Sequence, residues 1–154
     1  MKSYKDIIRI IKQLADDKNI SLEVMLVTIC ELLQKNIDHY DWVGFYFHDT
    51  LRPVLHLKTF AGDPTDHIEI PFGKGICGQV AVSNQSFLVE DVSRQDNYIA
   101  CSLRVKSELV VPLFVNNKNI GQIDIDSHKL RAFSKKDVEF LEEINSYVSL
   151  KIRT

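Results

Sequence analysis

Cysteine is scarce in this chain, with three residues in 154, an odd number. That count argues against a disulfide-stapled framework and leaves Cys30, Cys77 and Cys101 as buried, metal-binding or redox thiols in a reducing compartment. An excess of charge of one sign is equally lacking. A formal net charge of -2 supplies no electrostatic footprint for nucleic acid or anionic lipid, so neither a nucleic-acid partner nor a membrane is expected. Charges at Arg9, Lys12, Asp16 and Asp17 interrupt the opening segment, so no signal peptide or membrane span is readable there, and a cytoplasmic location is expected. There is no internal repeat, linker or low-complexity tract. The chain therefore reads as one domain over 1–154, long enough to bury roughly 70% of its unfolded surface without covalent staples. Its hydrophobic and charged fractions, 45% and 26%, are those of an ordinary globular protein.

Two helical periodicities come first: Ile7, Ile10, Ile11 and Leu14, then Leu22, Met25, Leu26, Ile29, Leu32 and Leu33 behind a Ser21 cap. Aromatic and β-branched residues from Trp42 to Phe47, and the alternation from Val54 to Phe60, predict a hairpin of two strands. Short strands are expected at Ile68–Ile70 and Phe87–Val89, with at most a short helix over Gln79–Val82. Longer strands at Leu109–Val115 and Ile120–Ile125 are joined by Asn116-Asn117-Lys118-Asn119 as a hairpin turn. Ser134, with Asp137 three residues on, caps a last helix whose apolar stripe is Val138, Leu141, Ile144 and Val148. Helices at both ends and hairpins between them predict an α+β domain on an antiparallel sheet.

The segment Gly73-Lys74-Gly75-Ile76-Cys77-Gly78 satisfies the dinucleotide pattern G-x-G-x-x-G, but its surroundings do not. A βαβ crossover needs a helix of a dozen or so residues before the next strand, and too little chain follows. No nucleotide cofactor is expected. What remains is a glycine-rich loop entering a helix start, suited to anion contacts through backbone N–H groups and to lowering a thiol's pKa. Cys101 lies in a second loop, Tyr98-Ile99-Ala100-Cys101-Ser102, whereas Cys30 sits among helix residues and is given no chemistry. Asp124 and Asp126, two apart on a strand, point to one face with Ile123 and Ile125 on the other. Neighbouring acids repel, so at least one should have a raised pKa if desolvated. The strand is then either a solvated face or a pocket floor that binds an ammonium group and keeps one carboxyl as a proton donor.

Taken in order, Asp41-Trp42-Val43-Gly44-Phe45-Tyr46, Ile70 through Gly78, Ile99-Ala100-Cys101, Ser107-Glu108-Leu109-Val110-Val111-Pro112-Leu113 and Asp124-Ile125-Asp126-Ser127 to Phe133 resemble the GAF-domain family. Within it they are similar to the free methionine-(R)-sulfoxide reductases. The resemblance implies an antiparallel sheet of five or six strands, terminal helices on one face, a small-molecule pocket on the other, and pairing of two copies through the helical face. It implies reduction of free methionine (R)-sulfoxide without cofactor or metal, the oxidised enzyme being restored by a thioredoxin-like reductant. By the same resemblance, Cys101 matches the catalytic cysteine, Cys77 a second cysteine beside it, and Glu108, Asp124 and Asp126 the pocket carboxylates. Trp42, Tyr46, His67 and Ser102 fall on the substrate side.

Two positions depart from the family pattern. His67 stands where members usually carry a further cysteine, and Ser102 where Asp commonly follows the catalytic one. Turnover would then pass through a Cys77–Cys101 disulfide or an external thiol, and the alternative is a non-catalytic GAF binding or sensory domain that keeps the pocket. His67 with Cys77 and Cys101 also forms a possible Cys₂His zinc set.

Overall fold

The computed structural model describes residues 1–96, 98 and 104–154. Helices α1 (Tyr4–Asp16) and α2 (Leu22–Asn36) lead into strands β1 (Trp42–His48), β2 (Val54–Ala61) and β3 (Glu69–Pro71). Then come α3 (Gly75–Ser83), β4 (Phe87–Val89), a 3₁₀ turn at Val92–Arg94, β5 (Ser107–Val115), β6 (Lys118–Ser127) and α4 (Lys135–Arg153). The six strands form one sheet in the order β3-β2-β1-β6-β5-β4, and every neighbouring pair is antiparallel. This is the expected α+β arrangement, with α1, α2 and α4 on one face of the sheet and α3 on the other.

Strand alternation decides what each face carries. Val43, Phe45, Leu109, Val111, Ile123 and Ile125 point to the helices and join Ile7, Ile11, Leu26, Ile29, Leu33, Leu141, Ile144 and Val148 in the larger apolar core. Burying each such side chain contributes about 1.5–3 kcal/mol, so this layer supplies most of the driving force for folding. Trp42, Tyr46 and Val110 point the other way, into a smaller cluster with Ile70, Ile76, Val80 and Val89. Both hairpins are present as read. The second turns more tightly than expected, because the strands run to Val115 and from Lys118 and leave only Asn116 and Asn117 between them. Their φ values of 51° and 66° are those of a two-residue turn that matches strand twist, and asparagine tolerates that region. The helix after the glycine loop is also longer than expected, starting within the loop itself.

One polar network locks α4 to the start of the chain. The Asp137 carboxylate accepts from Ser134 N–H at 3.0 Å, as a capping residue does, and also from Tyr4 Oη at 2.6 Å and Tyr40 Oη at 2.7 Å. His39 Nε2 adds a contact at 3.3 Å. Burial alone would raise the Asp137 pKa, but hydrogen bonds from His39, Tyr4, Ser134 and Tyr40 outweigh it and hold the carboxyl well below its usual range. A carboxylate with a lowered folded pKa stabilises the protein above its unfolded pKa of about 3.9, and that contribution is lost as pH falls further. Asp137→Asn should therefore lower unfolding free energy by about 2 kcal/mol at neutral pH, with the difference shrinking below about pH 4. Urea titrations at both pH values measure it, and an equal loss at the two would rule out the charge as the cause.

Candidate functional site

Residues facing α3 on the three central strands line up in rows across the sheet. Trp42, Asp126 and Glu108 are paired in one row, Gly44, Asp124 and Val110 in the next, and Tyr46, Gln122 and Pro112 in a third. Period-two alternation thus brings Glu108 beside Asp126 although they are distant in sequence. All three acids are buried, with Glu108 at 5% exposure and both aspartates at 1%. The solvated-face alternative therefore does not hold.

Cys77 enters this patch from above. Gly73 and Gly75 take φ of 85° and 62°, turning the chain from β3 into α3. Gly78 packs so closely that a Cβ there would stand 2.6 Å from the Pro71 carbonyl oxygen. The turn puts Cys77 Sγ 3.3 Å from Asp124 Oδ2 and 3.9 Å from Glu108 Oε2. Glu108 in turn shares side-chain hydrogen bonds with Asp124 and Asp126. Hydrogen bonds between carboxyl groups need a proton on one partner, so the patch holds at least one neutral acid.

The pKa directions follow from burial. Desolvation raises both aspartates; the Asp124 charge pushes Asp126 higher still, while hydrogen bonds from Glu108 and Cys77 and the nearby His67 offset part of the rise at Asp124. Cys77 is raised well above the ordinary thiol value, first by desolvation and then by the charges of Asp124, Glu108 and Asp126. This corrects the expectation from the helix start. The helix N-terminus favours a thiolate, but loss of water and three acids oppose it, so Cys77 is a protonated hydrogen-bond donor.

Trp42 and Tyr46 hold a roof. Trp42 Nε1–H donates to the Asp63 carbonyl at 3.0 Å and Tyr46 Oη to the His67 carbonyl at 2.8 Å, tying the 62–68 segment over the acids. Arg104 pairs with the Asp63 carboxylate at the same edge. The indole stacks on Phe60 and lies across Gly44, where a Cβ would come within 2.3 Å of its ring. Two small spaces flank the acids. One, of about 10 Å³, is lined by Tyr46, His67, Lys74, Cys77, Glu108 and Asp124; the other, of about 20 Å³, lies between Trp42 and Asp126. Each is of the size of one water. A larger cavity of about 470 Å³ lies between α4 and β5, away from the thiol and acids. Volume and chemistry disagree there, and chemistry decides, since the larger space holds no comparable cluster of reactive groups.

The structure therefore brings together Cys77, Glu108, Asp124, Asp126, Trp42, Tyr46 and His67. Cys101 and Ser102 lie outside the described residues. Cys30 is a free thiol buried in the helical core on the far face, with its pKa raised by burial and by Glu31. Among the described residues, the possible metal ligands that meet are Cys77, Glu108 and Asp124, a set that does not include His67. Three contributors were missed. Gln122, two residues before Asp124 on the same face, donates from Nε2 to the Cys77 carbonyl at 3.1 Å and was findable by the same alternation. Gly44 carried a signal as a glycine inside a strand. Lys74 lines the cavity beside Cys77; it lies in the glycine loop read as suited to anion contacts, where only the backbone N–H groups were considered.

The chain is thus an α+β domain with helices α1, α2 and α4 on one face of an antiparallel sheet and a buried acid patch under α3 on the other. A model of the GAF domain matches residues 19–153, and the chain belongs to the GAF domain family. It is 35% identical over 119 residues to the free methionine-R-sulfoxide reductase of Escherichia coli, covering 77% of this chain and 70% of that one. It is also similar to the X-ray structure of free methionine-R-sulfoxide reductase from Neisseria meningitidis in complex with its substrate. There the TM-score is 0.90 at 32% identity, over 97% of this chain and 88% of the other. The reduced form of fRMsr from Staphylococcus aureus gives 0.89 at 33% identity, over 99% and 96%.

Two outcomes test this geometry. Gly44→Ala should displace the indole and change the emission of the chain's one tryptophan; unchanged emission would mean that the ring has room to spare. An aspartate with a raised folded pKa destabilises the fold as pH rises from about 4 toward that value, and the cost persists above it. Asp126→Asn should therefore raise the melting temperature by roughly 3 °C or more near pH 7.5, a gain absent near pH 4. A fall at neutral pH would contradict the assigned strain.

Proposed function

We propose that this protein reduces free methionine (R)-sulfoxide by thiol chemistry. The observation that carries the reading is the Cys77 thiol hydrogen-bonded to Asp124 within a buried acid patch that keeps a proton. A sulfoxide sulfur becomes electrophilic when its oxygen is protonated, so the reaction needs a thiolate and a carboxylic acid on opposite sides. In this reading Cys101 attacks sulfur while the carboxyl group of Glu108, Asp124 or Asp126 protonates oxygen. The attack forms a bond between the two sulfurs; the protonated oxygen then passes as hydroxyl from the methionine sulfur to Cys101, the S–S bond breaks with its electron pair left on the departing methionine, and Cys101 becomes a sulfenic acid. Cys77 then attacks that sulfur, water departs, and a Cys77–Cys101 disulfide forms, which a thioredoxin-like dithiol reduces. For that attack Cys77 must give up its proton, and Asp124, 3.3 Å from its sulfur, is the acceptor in this reading.

Recognition fits a free amino acid. The unpaired aspartate oxygens meet the ammonium, Lys74 meets the carboxylate, and Trp42 packs on the methyl end. Such a ligand exceeds the two water-sized spaces, so its entry displaces the roof over the acids. In this reading His67 and Ser102 serve substrate binding, and the protein works as a homodimer in a reducing cytoplasm. Relatives described as free methionine-R-sulfoxide reductases support this reading.

A second reading, a non-catalytic sensor of an amino-acid-like ligand, is favoured by the strong protonation of Cys77 and by His67 in place of a cysteine. A thioredoxin-coupled assay with free and peptide-bound sulfoxide and both sulfur epimers separates the two. The enzyme consumes the free R epimer alone and loses two thiols per chain in single turnover, and Cys101→Ser abolishes both responses. Ligand-dependent thermal stabilisation with no thiol loss would instead establish the sensor, and normal turnover by Cys101→Ser would overturn the assigned nucleophile.

A further inference from the structure

Cys77, Glu108 and Asp124 each offer one ligand atom, and these three atoms lie within 4.8 Å of one another. In a tetrahedral zinc shell with Zn–S of about 2.3 Å and Zn–O of about 2.1 Å, sulfur and oxygen ligands stand about 3.6 Å apart. The distances from Cys77 Sγ, 3.3 Å to Asp124 and 3.9 Å to Glu108, bracket that separation. The donors need only small side-chain adjustments to close on an ion.

The patch also lacks what buried carboxylates normally have. Oδ1 of Asp124 and Oδ1 of Asp126 are buried without a hydrogen-bond partner among the described residues, and neither aspartate is paired with a lysine or arginine there. Asp126 is held at the trio through its hydrogen bond with Glu108. A buried anionic group unmatched by a cation is costly, and a divalent ion would supply the missing charge. The donor set selects among ions. One sulfur with carboxylate oxygens suits zinc, cobalt or cadmium, whereas magnesium and calcium take oxygen ligands alone.

We propose that Cys77, Glu108 and Asp124 form a binding site for a thiophilic divalent cation of the zinc type, with Asp126 as the outer carboxylate that orients Glu108. The thiol gives its proton to solvent as the metal–sulfur bond forms, and no electron is transferred. A cation here occupies the place where an amino acid's ammonium would sit. Metal and ligand therefore exclude one another, and inhibition of sulfoxide reduction, the one element that rests on the proposed function, follows reversibly.

Titration of the reduced, metal-free full-length protein with Co²⁺ tests the site without turnover. A thiolate-to-cobalt charge-transfer band is expected, displaced by zinc, absent in Cys77→Ser and retained in Cys30→Ala and Cys101→Ser. Glu108→Gln, which keeps the thiol and the shape of the side chain, should weaken zinc binding by about tenfold or more in a competition titration with a chromogenic chelator. Absence of the band in the wild-type protein under excess Co²⁺, its persistence in Cys77→Ser, its loss in Cys101→Ser, or unchanged affinity in Glu108→Gln would each overturn the proposal. The band is read whether or not the protein reduces sulfoxides, so failure of the metal site and failure of the enzymatic reading are separate results.

Discussion

The interaction on which the rest depends is the desolvation of Glu108, Asp124 and Asp126 on one face of an otherwise apolar sheet. Taking a carboxylate out of water costs several kcal/mol unless it is paired, and neither Asp124 nor Asp126 is paired with a lysine or arginine among the described residues. Shared protons and the Cys77 thiol hold the patch together. The strands beneath it must be rigid, because a small widening between β5 and β6 would admit water and release the acids from one another. Antiparallel pairing of β6 on both sides, with β1 and β5, fixes their spacing.

The helical face offsets this cost. Every second residue of β5 and β6 faces α1, α2 and α4 in a continuous apolar layer, while its neighbours face the acid patch. One strand thus carries core and site by alternation alone. Asp137 shows the contrast in environment for the same side chain. It receives hydrogen bonds from two tyrosines and a backbone N–H, which hold its pKa down, whereas desolvation and the neighbouring Asp124 charge push the Asp126 pKa up.

Much of this was legible because it rests on period and turn chemistry. Alternation in Ile123-Asp124-Ile125-Asp126 placed both acids on one face, and the asparagine pair marked the β5–β6 turn, although sequence gave it two residues too many. The rows across the sheet were not legible, since pairing of Glu108 with Asp126 and of Trp42 with Asp126 depends on register. The hydrogen bonds of Trp42 and Tyr46 to carbonyls of the 62–68 segment were likewise hidden, because they depend on where that segment passes over the sheet. Gly44 matters only once the indole is seen to lie across it.

The expectation for Cys77 failed for a reason of magnitude. A helix N-terminus stabilises a nearby anion by about 0.3–1 kcal/mol at the surface and up to about 2 kcal/mol when partly buried. Stripping a thiolate of water costs several kcal/mol, and three acids add repulsion in the same direction. Local sequence displays the smaller favourable effect, a glycine turn opening a helix, and conceals the larger one, which comes from strands thirty and more residues away. A thiol at a helix start is activated only where the space in front of it is wet or cationic. In front of Cys77 stand Asp124 and Glu108, which make the same position a proton reservoir.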